Sequence, residues 1–220
     1  VRAHPYVSAV LAARDGSLWW GTGPALFQWK EGKLQSAFTN EFRSWLREDR
    51  IRVLCEDREG GIWVGTQNGQ LRLLRAGQFI ALTNWQRAAP LTALLQSADG
   101  TLLVGTYGRG LLRVRDGHCS AVTVSDGQLS QFIRALYQDA KQVLWIGTEG
   151  AGLIRLEAGR ATSLTTRHGL LNDTIVQILE DDAGCLWLGS YRGILRLGQS
   201  ELEQFDRGKT AFVHPLILSR

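Results

Sequence analysis

Methionine is missing from all 220 residues, proline occurs four times and cysteine three times. Without even an initiator methionine, the chain is expected to be an excised or processed piece of a longer one, so its ends carry no targeting information. Cys55, Cys119 and Cys185 form no CxxC pair and no metal-ligand spacing, which excludes a zinc ribbon or a redox motif and leaves room for one disulfide at most. Cys55 lies in an apolar run and reads as a small hydrophobe. No apolar stretch approaches the roughly 18 residues of a membrane helix, so no membrane contact by this segment is expected. Neither sign of charge is concentrated: 25 Lys and Arg stand against 21 Asp and Glu, a net +4 without blocks. A nucleic-acid surface would cluster its cations on one face, so no nucleic acid is expected as a partner. His4, His118, His168 and His214 are too far apart to ligate together, and Asp57, Asp139 and Asp181 lack calcium-loop spacing. Neither metal nor cofactor is expected.

What the sequence does have is repetition. A five-residue phrase recurs as Leu18-Trp19-Trp20-Gly21-Thr22, Ile62-Trp63-Val64-Gly65-Thr66, Leu102-Leu103-Val104-Gly105-Thr106, Leu144-Trp145-Ile146-Gly147-Thr148 and Leu186-Trp187-Leu188-Gly189-Ser190. Its glycines stand 44, 40, 42 and 42 residues apart. Such a period signifies a repeat architecture. Each copy has an apolar run before a polar turn at Gly16, Gly60, Gly100, Gln142 or Gly184. The phrase follows, then a second turn, a third run and a fourth. The runs are four to seven residues long, rich in β-branched and aromatic residues and bounded by Gly and Asp, which is a strand-and-hairpin pattern. Four antiparallel strands in about forty residues make one propeller blade. The expectation is therefore an all-β chain, a single β-propeller domain over 1–220. Its five four-stranded blades fall at about 5–40, 50–84, 90–125, 131–167 and 173–218. They form either a closed five-blade ring or a fragment of a seven-bladed one. A helical turn is expected in 40–50, where Phe42, Trp45 and Leu46 have helical spacing, and another in 200–207. Residues 211–218 read as the last outer strand despite Pro215.

The pattern Asp-x-x-Gly-x-Leu-Trp-Ile-Gly-Thr-x-x-Gly-Leu-x-Arg, clearest over Asp139–Leu156 and Asp181–Leu197, resembles the two-component regulator propeller repeat. His168-Gly169-Leu170-Leu171-Asn172-Asp173 is similar to the inter-blade linker of that family. The resemblance implies a periplasmic or extracellular sensor propeller of a signal-transduction receptor. It also implies a stalk and output domain, commonly a histidine kinase, as partners in the parent chain, and carbohydrate fragments as frequent ligands. The chain departs from the family pattern in having five blades where seven are usual, and Leu103 where Trp is expected.

In the usual propeller path the first strand of each blade is innermost, and its N-terminal end shares a face with the turns between second and third strands. Loops from all blades converge there, so ligands are expected there. Ser8, Arg52, Thr92, Arg134 and Val176 occupy one position on the innermost strand. The second-to-third-strand turns offer Gln67, Asn68, Tyr107, Arg109, Glu149, Tyr191 and Arg192. Trp45 and Trp85 lie in inter-blade connections, either as stacking platforms or as plugs between blades. The candidate ligand-binding set is therefore Arg52, Gln67, Asn68, Trp85, Tyr107, Arg109, Arg134, Glu149, Tyr191 and Arg192. Aromatic faces pack on C–H surfaces while Arg and amides bond hydroxyls or carboxylates, which suits a polar, sugar-like ligand. Arg72, Arg113, Arg155 and Arg196 repeat at one strand position and are expected to pair with Asp57, Asp139 and Asp181. Three functions fit: a non-catalytic sensor, a propeller that docks a protein partner, and a lyase or hydrolase using His168 and Glu149 as acid and base.

Overall fold

A computed structural model of the chain describes residues 6–36, 45–46, 49–82, 84–86, 89–125 and 129–218. His4, Phe38 and Phe42, and most of the helical turn expected over 40–50, lie outside them; Trp45 and Leu46 are helical. The fold is all-β, a five-bladed β-propeller. Blade 1 holds β1 (Ala9–Ala12), β2 (Leu18–Thr22), β3 (Ala25–Lys30) and β4 (Lys33–Ser36). Blade 2 holds β5 (Ile51–Glu56), β6 (Ile62–Thr66), β7 (Leu71–Arg75) and β8 (Gln78–Ala81). Blade 3 holds β9 (Leu91–Gln96), β10 (Leu102–Thr106), β11 (Leu111–Arg115) and β12 (His118–Ala121). Blade 4 holds β13 (Ile133–Gln138), β14 (Leu144–Thr148), β15 (Leu153–Glu157) and β16 (Arg160–Leu164). Blade 5 holds β17 (Ile175–Glu180), β18 (Leu186–Ser190), β19 (Gly193–Leu197) and β20 (Leu216–Leu218), with helix α1 (Gln199–Asp206) before the last strand. Every blade is an antiparallel meander in chain order. The chain divides into two compact units, Val1–Ser120 and Ala121–Arg220.

In the first unit, Trp19 and Leu26 of blade 1 pack on Leu54, Ile62, Val64 and Leu74 of blade 2. Trp63, Leu71 and Leu73 of blade 2 pack on Leu94, Leu102, Val104, Leu112 and Val114 of blade 3. In the second unit, Trp145, Leu153 and Leu164 of blade 4 meet Ile178, Leu186, Leu188, Leu195 and Leu197 of blade 5. The phrase strands β6, β10 and β14 are buried along their whole length, as a sheet covered on both faces requires.

The turn aspartate, the tryptophan and the threonine of the repeat have distinct duties. Asp139 Oδ1 accepts the N–H groups of Lys141 and Val143 at 2.9 Å, closing the first turn, while its Oδ2 accepts Trp145 Nε1 at 3.0 Å. Asp181 does the same for Ala183, Cys185 and Trp187. In blades 1 and 3 that position is Ala13 or Ser97, and the turn passes to Asp15 and Asp99, which accept the N–H of Ser17 and Thr101. The tryptophan then loses its carboxylate. In blade 1, Ser17 Oγ accepts Trp19 Nε1 at 3.0 Å, and in blade 3 the position is Leu103. The threonine hydroxyl closes the second turn, with Thr106 and Thr148 donating to Gly110 O and Gly152 O at 2.7 and 2.8 Å and Ser190 to Gly193 O at 2.8 Å.

Two expectations need correction. Arg113, Arg155 and Arg196 lie opposite Leu103, Trp145 and Trp187, but Arg72 lies opposite Val64, and Leu73 takes the place beside Trp63. Arg72 therefore points to the other face of its sheet, since side chains alternate along a strand. Only Arg196 pairs as expected, with Asp181 at 2.9 Å. Arg155 pairs with Asp206 and Glu157, Arg113 donates to Ser120 Oγ, and Asp57 is held by Arg75. With Asp57 so engaged, Trp63 Nε1 is buried with no acceptor. The second correction concerns the last strand, which is only Leu216–Leu218 and begins after Pro215, whose missing N–H suits the edge of a ladder. Just upstream, Val213 is buried and its N–H donates to His168 O at 2.8 Å. All three cysteines are free thiols, and desolvation raises the pKa of Cys55.

Candidate functional site

The second-to-third-strand turns are held beside the entry to the first strand by one recurrent main-chain bond. Gln67 N donates to Arg50 O at 2.8 Å, Tyr107 N to Pro90 O at 2.9 Å and Glu149 N to Phe132 O at 2.9 Å. In each case the acceptor immediately precedes the first strand, so that turn and strand entry form one rim. The pairing of Ile51 with Thr66 and of Ile133 with Thr148 puts Arg52 and Arg134 at that rim.

In blade 2, Arg52 Nη1 donates to Gln67 Oε1 at 3.0 Å. Asn68 is exposed, and its N–H donates to Asp49 Oδ1 at 3.0 Å. Asp49, which the sequence did not single out, is buried and organises this corner: it also accepts Arg50 N at 2.8 Å and Gln70 Nε2 at 3.1 Å. A carboxylate two residues before an inner strand was the available signal, but it was obscured by the charges around it. In blade 3, Tyr107 and Arg109 are exposed, and Arg109 N donates to Thr106 Oγ1 at 3.0 Å. Ser8 turns inward, with Oγ 2.5 Å from Ile51 O and 3.1 Å from Gly21 O.

In the second unit, residues from two blades meet. Arg134 Nη2 donates to Tyr191 OH at 3.0 Å, and Arg134 Nη1 stands 3.5 Å from Glu149 Oε2. Tyr191 leaves 69% of its surface to solvent. The neighbouring Arg192 is exposed, with its N–H on Ser190 Oγ at 3.2 Å. The linker braces this corner, with Asp173 O accepting Gly150 N and Gly152 N at 3.0 and 2.8 Å. The Asp173 carboxylate accepts Thr166 N at 2.6 Å. A half-buried guanidinium, a carboxylate and an exposed phenol on a braced frame can bond hydroxyl groups and present a ring face to C–H surface.

His168 is committed elsewhere. Its Nδ1 accepts Thr165 N at 3.1 Å, and its ring meets Phe205 edge-on at 5.1 Å. Trp85 is half-buried, with Nε1 on Gly69 O at 3.0 Å, and packs against the core between blades 2 and 3. It joins Trp45, Gln70 and Arg72 around a cleft of about 190 Å³, in which the Arg72 guanidinium lies 5.2 Å from the Trp45 ring centroid. Among the described residues, no group of three or more His, Cys, Asp or Glu is placed to hold a metal ion, and no helix is long and apolar enough to cross a membrane.

Residues 46–68, 127–150 and 169–192 match the model of the two component regulator propeller family. No curated protein matches the chain. Among solved structures, the extracellular domain of a protein classed as a hybrid two component system of B. thetaiotaomicron superposes with a TM-score of 0.74 at 24% identity. That match covers 88% of this chain and 27% of the other. A second such domain from B. thetaiotaomicron gives 0.72 at 17% identity, covering 97% and 31%. Virginiamycin B lyase from Staphylococcus aureus gives 0.76 at 11% identity, covering 100% and 72%. This chain spans less than a third of the two extracellular domains, and at these identities the likeness is one of fold. The matched stretches contain the two inner strands of blades 2, 4 and 5, and these three stretches carry the two component regulator propeller repeat.

Proposed function

We propose that this chain is a non-catalytic sensor propeller of a bacterial signal-transduction receptor, binding a polar, sugar-like ligand at the rim formed by strand entries and second turns. The observation that carries the reading is the Arg134–Glu149–Tyr191 cluster, in which two blades present complementary polar groups and an exposed aromatic ring. Arg192 stands beside Tyr191 in this unit; in the other unit, Arg52, Gln67, Asn68, Tyr107 and Arg109 offer groups of the same chemistry at their own turns and strand entries, and Trp85 offers a ring in the cleft it lines with Trp45. The repeat family and the extracellular domains that share the fold support a location outside the cytoplasm, with the rest of a receptor as partner. Signalling then requires that the ligand favour one of two arrangements of the receptor over the other. A lyase also shares the fold, but here His168 caps a turn and packs on Phe205, so it is not poised as an acid or base beside Glu149.

Calorimetry against panels of oligosaccharides and organic acids tests the proposal. Saturable binding is expected. Tyr191→Ala or Arg134→Ala should weaken it by about tenfold or more, the scale of one lost stacking or charged contact, with the unfolding midpoint little changed. No binding by either panel, together with tight capture of a polypeptide at the same rim, would replace the sensor by a docking propeller.

A further inference from the structure

Among the described residues, three guanidinium groups lie over tryptophan rings, and they differ in what meets their donors. Arg155 stands 5.9 Å from the Trp145 centroid and Arg196 5.7 Å from that of Trp187. Both are completed by carboxylates, Arg155 by Asp206 at 3.0 Å and Glu157 at 2.8 Å, Arg196 by Asp181 at 2.9 Å. Arg72 is half-buried and 5.2 Å from the Trp45 centroid, and its guanidinium has neither an ion pair nor a hydrogen bond among the described residues. Stacking leaves the N–H groups of a guanidinium free along its edges, and a carboxylate matches that planar fork.

The cleft around Arg72 is held in place by bonds of its own. Trp45 is 9% exposed and packs on Phe79 with ring centroids 6.0 Å apart. Trp85 Nε1 is engaged by Gly69 O, and Gln70 Nε2 donates to Asp49 Oδ2 and Trp45 O. The Asp49 carboxylate is spent on Arg50 N, Asn68 N and that same amide. Leu71, Ala81 and Leu82 complete the wall. The volume of about 190 Å³ exceeds the roughly 150 Å³ of a cavity that admits benzene, which leaves room for one ring and a carboxylate. Blade 4 shows what a stacked tryptophan and arginine accept. There the Phe205 ring and the Asp206 carboxylate of α1 close over Trp145 and Arg155 and leave only about 10 Å³.

We propose that the blade 2 cleft binds a small aromatic carboxylate, with the carboxylate on the edge of Arg72 and the ring against Trp85. A sugar brings several hydroxyl groups that each need a partner, whereas the uncommitted side-chain donors lining this cleft are those of Arg72. The site goes beyond the rim reading and does not rest on it.

A nuclear magnetic resonance titration of the 220-residue chain tests this by following the indole N–H signal of Trp85, assigned by its loss in Trp85→Phe. Phenylacetate and indole-3-acetate are the probes, and phenylacetamide and indole-3-acetamide their neutral controls. Both acids are expected to shift the signal saturably, and the amides to bind about tenfold more weakly or worse. Arg72→Gln should weaken the acids by about tenfold or more with the circular dichroism of wild type kept, and Arg72→Lys, which retains the charge without the fork, by less. If Arg72→Gln does not keep that spectrum, the comparison of acid with amide on wild type decides. Tyr191→Ala, which tests the rim, should leave these shifts as they are in wild type, so the two readings fail separately. The proposal is overturned by no saturable shift with either acid, by equal binding of acid and amide, or by full acid affinity in a folded Arg72→Gln. A Trp85 signal that responds to neutral oligosaccharides and to neither acid overturns it as well.

Discussion

The aspartate of the first turn does two jobs with two oxygens. Asp139 is buried, so removing its carboxylate strands the N–H groups of Lys141 and Val143 and the indole of Trp145 together. Asp139→Ala is expected to lower unfolding free energy by about 1–3 kcal/mol, the penalty of orphaned buried donors, measured by urea denaturation. Gln142, in the same turn, adopts φ 67 where the other blades place glycine. Gln142→Gly should relieve a left-handed conformation at the expense of chain entropy, for a net gain of about 0.5–1 kcal/mol in the same assay. Acid lability follows from the turn carboxylates as well. The Asp181 carboxyl is held at about 2, chiefly by the Cys185 N–H, then by the Trp187 indole and Arg196. Asp15, chiefly through Lys30, and Asp99, chiefly through the Thr101 N–H, are lowered too. In the unfolded chain these groups take up protons near pH 4, whereas folded Asp181 does so only near 2. The stability they supply is therefore whole above about pH 4 and drains as pH falls toward 2. Thermal melts across that window should show a shallower decline for Asp181→Asn than for wild type.

At the scale of the blade, the interlock of glycine and inner strand sets the spacing between sheets. Gly147→Ala would push a methyl group to 2.6 Å from a main-chain oxygen of blade 5 and is expected to destabilise by about 1–3 kcal/mol, as overpacking does. Gly189→Ala meets no neighbouring blade and should change stability by less than about 0.5 kcal/mol. Comparing the two melting curves separates a packing role from a conformational one. Strand number, strand order and the place of each turn were legible in the sequence, because the Trp-Gly-Thr phrase fixes the frame every forty-odd residues. The pairing of arginines was not. Arg72 sits one residue out of step with Arg113, and a one-residue offset in a strand reverses the face without disturbing the apolar pattern around it. The short last strand was overread for a related reason: Val213 belongs to the core by packing, while Pro215 delays the ladder.

For the molecule as a whole, the rim was legible as a region and only partly as a set of contacts. Arg134, Glu149 and Tyr191 come from separate stretches of chain, and no spacing rule predicts that one guanidinium will reach both the carboxylate and the phenol. Asp49 escaped notice because its importance lies in what it buries and not in any motif. The bonds from Gln67, Tyr107 and Glu149 to the preceding strand entry use peptide atoms alone. Any amino acid except proline can make them. These three side chains can therefore be exchanged without moving the path of the turns, so the identity of the groups displayed at this edge is uncoupled from the backbone that holds them.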